Sequence, residues 1–208
     1  MKFLYWLIAF FFLLPFVNHA QKISYEKVTV KNAPFKINGF YKGKSIKVSD
    51  GDTFIFLSQS NRKFAIRIEG IDAPEKGMPY ARKATDYLAA MLKNQSIIIK
   101  VISIDQYGRL VARIIVDNKD VSKEMIAAGY AWHFKKYNKE NELKNLEIKA
   151  RAQKRGLWQE QHPLAPWVVR AHRRAGYSDK EFRKLREQND PRIRKFLKKQ
   201  CIEFKYSK

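Results

Sequence analysis

Cysteine is almost absent from this chain: among 208 residues there is one, Cys201. An intramolecular disulfide is therefore excluded, and stability outside the cell has to come from packing. Histidine is scarce too, and beyond the N-terminal segment His133, His162, His172 and Cys201 show no paired spacing, so a zinc site is not expected. Acidic residues number 20 against 42 Lys and Arg, a net charge of +22. That bias exceeds what solubility needs and points to a polyanionic partner, either nucleic acid or an anionic membrane or wall polymer. No internal repeat or low-complexity stretch is present, and a chain of this length supplies one core.

Long apolar runs are also missing, with one exception. Phe3 to Val17 follows Lys2, is broken by Pro15 and is shorter than the roughly 20 residues that span a bilayer. It reads as a secretory signal peptide over residues 1–20, cleaved after Ala20, although Asn18 is not the small residue usual three positions before cleavage. An uncleaved membrane anchor is the alternative. The expected localisation is thus secreted or periplasmic, with membrane contact only through that segment.

Residues 21–42 read as a polar lead-in with one edge strand. A domain over 43–167 follows. Ile46 and Val48, then Thr53 to Leu57, flank an Asp-Gly turn and predict a hairpin. Phe64, Ile66 and Ile68 alternate with Ala65, Arg67 and Glu69 in a third strand, and Ile97–Ile104 and Leu110–Val116 supply two more. Helical spacing appears over Pro79–Leu92, Val121–Ala128 and Asn141–Arg155, with Leu157 and Trp158 folding back as apolar anchors. The expected fold is α+β with a mainly β core: a five-stranded OB-type barrel with three packed helices. Residues 168–208 read as a basic helical extension, an accessory helical pair packed loosely on the body, with a capping box at Ser178 and Glu181 and a second helix from Pro191. No obligate protein partner is implied, and a monomer is expected.

Any metal must use oxygen ligands. Asp50 and Asp52 leave one hairpin and Asp72 leaves a neighbouring strand, a donor set suited to a hard ion such as Ca²⁺. Asp50 also suits a plain Asp-Gly turn. Arg67 lies within a strand and Arg109 follows the Tyr107-Gly108 turn; a guanidinium gives paired hydrogen bonds to phosphate and stays charged as negative charge builds up. The competing reading of Arg67 is a buried salt bridge to Glu69 or Glu75. Glu75 suits a general base. No serine, histidine and aspartate set competes, and His133, between Trp132 and Phe134, reads as a packed histidine.

Four motifs, in order and at matching spacing, carry a resemblance: Asp50-Gly51-Asp52-Thr53, Arg67 with Ile71-Asp72-Ala73-Pro74-Glu75, Tyr107-Gly108-Arg109, and Arg155-Gly156-Leu157-Trp158. Over Ile46 to Trp158 the chain resembles the staphylococcal-nuclease-like, or thermonuclease, family. The resemblance implies a calcium-dependent, sugar-nonspecific nuclease acting on DNA and RNA and leaving 3′-phosphates. Asp52, Asp72 and the Ala73 backbone carbonyl would hold Ca²⁺, with Asp50 in an outer position. Arg67 and Arg109 would grip the phosphate, Glu75 would activate water, and Tyr107 would contact the nucleotide, as would Tyr137 once a gap is allowed. Ala73 replaces a threonine of the best-known member, and the loop Lys76–Met78 is shorter. A catalytically silent nucleic-acid-binding barrel is the rival reading, but it predicts the loss of one or more of Arg67, Glu75, Arg109, Asp52 and Asp72, and all five are present.

Overall fold

The computed structural model describes residues 23–206; the leader expected over 1–20 lies outside them. The first three strands, β1 (Phe40–Val48), β2 (Thr53–Ser58) and β3 (Lys63–Ile68), form an antiparallel meander. A two-residue strand, β4 (Ile71–Asp72), follows, and helix α1 (Ala81–Leu92) leads to β5 (Ile97–Ile104) and β6 (Leu110–Val116). β5 pairs antiparallel with both β1 and β6, and β6 pairs parallel with β3. That last pairing closes the sheet into the five-stranded barrel expected of an OB fold.

Closure needs bent strands, and the register shifts at Ser45/Lys47 in β1 and Val101/Ser103 in β5 mark where they bend. The alternation of β5 and β6 turns Ile97, Ile99, Val101, Leu110, Ala112 and Ile114 inward. Ala84, Leu88 and Leu92 of α1, spaced by four residues, bury against the same core. This helix starts at Ala81 rather than at Pro79. Tyr80, at its N-cap, sits at φ 64° in the left-handed region, so the chain turns sharply just before the first helical residue.

A short strand β7 (Lys119–Asp120) precedes α2 (Val121–Ala127), β8 (Trp132–His133) and α3 (Asn141–Ala152). α3 ends three residues before the expected Arg155, because Lys154 is left-handed at φ 49°. β1 also begins earlier than the hairpin pattern suggested, at Phe40, since half of it is exposed and carries little apolar periodicity.

The C-terminal region is three helices, α4 (Pro166–Arg174), α5 (Asp179–Glu187) and α6 (Pro191–Tyr206). α4 runs across the expected 167/168 boundary. The three are not a loose appendage: Phe182 and Ile193, 0% and 1% exposed, join Trp132, Ala150, Leu157 and Trp158 in a second apolar core. Trp132 meets Trp158 edge-on at 4.4 Å and Trp167 edge-on at 5.4 Å, so α4 is fixed to the barrel through edge-to-face indole contacts. The expected cap is present, with Ser178 Oγ accepting from the Glu181 N–H.

The α4–α5 corner is ionic. Asp179 accepts from Arg173 at 2.7 and 2.9 Å and pairs with the buried His172 at 2.9 Å. Arg173 is the main cause holding the Asp179 carboxyl well below the usual carboxylate range. A depressed folded-state value means that this stabilisation is present above about pH 4 and is lost as pH falls towards the folded-state value. Asp179→Asn should therefore flatten stability against pH below about 4 and cost about 1 kcal/mol at pH 7, the small figure reflecting solvent screening. Urea unfolding across pH 2–7 checks both.

Candidate active site

The barrel closure places the site. Thr53 of β2 lies opposite Arg67 of β3, and Ile66 of β3 lies opposite Leu110, the residue after Arg109. Three segments distant in sequence thus reach one end of the barrel together. Two glycines admit the chain there. Gly51 packs so closely that a Cβ would sit 2.7 Å from Ala73 Cβ and 2.8 Å from Ala84 Cβ. Gly70 has φ +79° and turns β3 directly into β4, delivering Asp72. β4 pairs with β8, with Asp72 opposite Trp132 and Ile71 opposite His133.

One unbroken polar chain joins the charged groups. Arg109 Nη1 donates to Thr53 Oγ1 (3.3 Å), which donates to Asp52 Oδ1 (3.1 Å). The same oxygen lies 3.3 Å from Arg67 Nε, and Arg67 Nη2 donates to Asp72 Oδ1 at 3.0 Å. Asp52 Oδ2 accepts the Ala73 N–H at 2.7 Å, tying the two acidic segments together. Arg67 Nη1 donates to the Ile68 carbonyl at 2.8 Å, which completes its fixation. Neither carboxylate first considered as its partner is used: Glu69 faces Arg113 and Asn138, and Glu75 faces Arg170.

Arg109 is set by a turn. Asp105 Oδ1 accepts the N–H groups of Tyr107 (2.9 Å) and Arg109 (3.0 Å), while Oδ2 accepts Arg109 Nε at 2.7 Å. The guanidinium stands 5.4 Å from the Tyr107 ring, which is 63% exposed. Tyr137 is also exposed, but its ring packs on Phe134, which stacks on Trp167. His133 is buried with Nε2 against Asn138, and burial lowers its pKa; it is a packed histidine.

Asp52 and Asp72 are 7% and 1% exposed. Burial pushes the Asp72 carboxyl up against the pull of Arg170 and Arg67, with Asp52 adding repulsion. Asp50 is pushed up to about 6, by burial first and then by the charge of Asp52. Its Oδ1 accepts the Asp52 N–H at 3.0 Å, so it does serve the turn. Crowded, buried carboxylates with only oxygen donors fit a hard divalent ion. Among the described residues no group of three or more His, Cys, Asp and Glu side chains forms a ready cage. The set that the family resemblance implies for such an ion is Asp52, Asp72 and the Ala73 carbonyl, completed by water.

Sequence reasoning missed Arg170. It lies on α4, with Nη2 2.7 Å from Asp72 Oδ2 and Nη1 at 3.1 Å from Asp72 Oδ1 and 2.5 Å from Glu75 Oε1. Both acids raise its pKa despite burial. The helix itself was open to detection, because Pro166 at its first position precedes Trp167, Val168, Val169 and Ala171. Its target, 98 residues upstream of Arg170, carries no local signal.

Comparison with known proteins agrees with the geometry. Residues 65–160 match the model of the staphylococcal nuclease homologue family. An Escherichia coli protein named as an uncharacterized endonuclease is 37% identical over 133 residues, covering 64% of this chain and 86% of that protein. A staphylococcal-like nuclease of Arabidopsis thaliana is 40% identical over 115 residues, 55% of this chain and 36% of its own length. A probable staphylococcal-like nuclease of rice is 41% identical over 118 residues, 57% of this chain and 31% of its own. The chain thus spans about a third of the plant relatives it matches. With a closed five-stranded barrel and an Escherichia coli relative matched over most of its length, the chain belongs to the staphylococcal-nuclease-like family.

Proposed function

We propose that this protein is a calcium-dependent, sugar-nonspecific nuclease that hydrolyses phosphodiester bonds in DNA and RNA and acts after secretion. The observation that carries this reading is the polar chain running from Arg109 through Thr53, Asp52, Arg67 and Asp72 to Arg170 and Glu75. Its cations suit a phosphate, its buried acids suit a hard ion, and a carboxylate stands at its end. Net charge +22 favours a polyanionic substrate.

In the proposed mechanism Asp52, Asp72 and the Ala73 carbonyl would hold Ca²⁺, with Asp50 behind Asp52; when bound, the ion would supply Lewis-acid polarisation of a phosphate oxygen. Arg67 and Arg109 donate paired hydrogen bonds to the non-bridging oxygens and offset the charge that develops on them. Asp105 limits the reorganisation this demands of Arg109. Glu75 takes a proton from the attacking water; the P–O5′ bond breaks, the 5′ oxygen takes a proton from solvent, and a 3′-phosphate remains. Tyr107 offers an exposed ring on which a base stacks beside the scissile phosphate. Residues 1–20 would act as the export signal, and among the described residues no helix is long and apolar enough to cross a membrane.

The test is incubation of the protein with single- and double-stranded DNA and with RNA, in calcium or in chelator, with end-labelling of the products. Cleavage of all three in calcium, with 3′-phosphate ends and none in chelator, is expected. Binding without cleavage would favour the silent barrel.

A further inference from the structure

Helix α4 lies outside the residues matched by the family model, yet it places a charge in the centre of the site. Trp167 packs on Trp132, the register partner of Asp72, and three residues later on the same helical face Arg170 lands on Asp72 itself. The helix cannot easily withdraw, because Val168, Val169 and Ala171 are buried. Arg173, one turn on, donates to the Lys76 carbonyl at 2.9 Å and holds the short loop after Glu75.

A carboxylate offers about four acceptor positions on its two oxygens. On Asp72, Oδ1 accepts from Arg67 (3.0 Å) and from Arg170 (3.1 Å), and Oδ2 accepts from Arg170 (2.7 Å). Three of the four positions are therefore filled by guanidinium N–H groups. A cation binding at Asp72 must displace one of them or share an oxygen with two positive charges. Arg67 is tied on three sides, to Asp52, Asp72 and the Ile68 carbonyl, and is 13% exposed. Arg170, at 36% exposed, is the one that can yield.

We infer that Arg170 is a built-in counterion that competes with the divalent cation for Asp72, sets the affinity for that cation, and gives up Asp72 and Glu75 together when the cation binds. The inference rests on the calcium reading given above. Without the ion, Arg170 neutralises a buried acid and occupies the general base; with it, both contacts weaken, since coupling between two ligands of one site is reciprocal. Cation binding thereby frees Glu75 for water.

Calorimetric titration of calcium into the full chain, compared with Arg170→Met and Arg170→Lys, tests this without reference to activity. The Met variant should bind calcium about tenfold more tightly, within the roughly 5–150-fold range of such couplings, and the Lys variant, which keeps the charge but loses the paired hydrogen bonds, should fall between. In chelator the Met variant should melt below wild type, and calcium should raise its Tm by more. If the Met variant does not fold in chelator, the Lys variant alone decides, by binding more tightly than wild type. Equal or weaker affinity in the folded variants, with wild type binding calcium, overturns the role of Arg170. Absence of binding in wild type and variants alike overturns the calcium reading and this inference with it.

Discussion

Replacing Glu75 with glutamine should lower the rate of phosphodiester hydrolysis by about 10²–10⁴-fold, the usual contribution of a general base, while leaving nucleic-acid affinity nearly unchanged. Glutamine keeps the shape and one acceptor oxygen, so the hydrogen bond from Arg170 Nη1, 2.5 Å in the native protein, can persist in neutral form. Proton acceptance is removed, together with one negative charge facing Arg170, and saturating calcium keeps that charge change from limiting cation occupancy. Arg67, Arg109, Asp52 and Asp72 keep their mutual contacts, none of which passes through Glu75. Single-turnover cleavage with saturating calcium, run beside filter binding of the same oligonucleotide, separates the two effects. A variant that cleaves at the wild-type rate would remove Glu75 from the chemistry, whereas a fall in binding as large as the fall in rate would make it a substrate contact instead.

The largest expected effect on stability is at a residue far from the chemistry. Phe182→Ala should cost about 3–5 kcal/mol, the range for a large aromatic removed from a packed interior. Phe182 is 0% exposed and stacks on His172 at 4.2 Å, with Phe196 edge-on at 5.6 Å and Tyr177 at 6.1 Å, so no neighbour is placed to fill the void without moving. The consequence should reach the site. α4 is clamped between this ring and the Trp132–Trp167 contact, and a loosened α4 releases Arg170 from Asp72. Urea denaturation of wild type and variant in chelator measures the loss. A cost below about 1 kcal/mol would mean that the C-terminal helices contribute little to the fold, as a loosely packed accessory pair would.

Much of the barrel could be read in advance because β5 and β6 alternate cleanly and the other strands are rich in β-forming apolar residues. Phe64, Ile66 and Ile68 share one face of β3 and send Arg67 to the other, where Ala65 is also buried, and period two in Leu110–Val116 defines β6. The site acids were legible for a different reason. Asp52 in a strand-forming context and Asp72 after a glycine turn are poor choices for local structure alone, and both are buried in the fold. Where local signals were weak, boundaries moved: β1 is half exposed, and α1 begins only after the left-handed Tyr80. Helix α4 has an apolar face in Val168, Val169 and Ala171, but it is short, and Arg170, Arg173 and Arg174 make the segment basic on average, so it merges with the basic stretch that follows.

What the sequence by itself determined was local: strand faces, turn positions, most helix spans, and the presence of five charged side chains in segments stiff enough to hold them. Tertiary structure alone decided which of those segments meet. The parallel pairing of β3 with β6 brings Arg109 to Thr53, 56 residues away, and the indole contact of Trp167 with Trp132 carries Arg170 to Asp72 across 98. The physical reason is that both are non-local. A strand records which face is apolar but not which edge will pair with it, and a basic helix records its charges but not the buried acid that will take one of them. Those choices follow from closing the barrel and burying the second core, and they set beside Arg67 and Arg109 a third arginine, Arg170, that rests on Asp72 and Glu75.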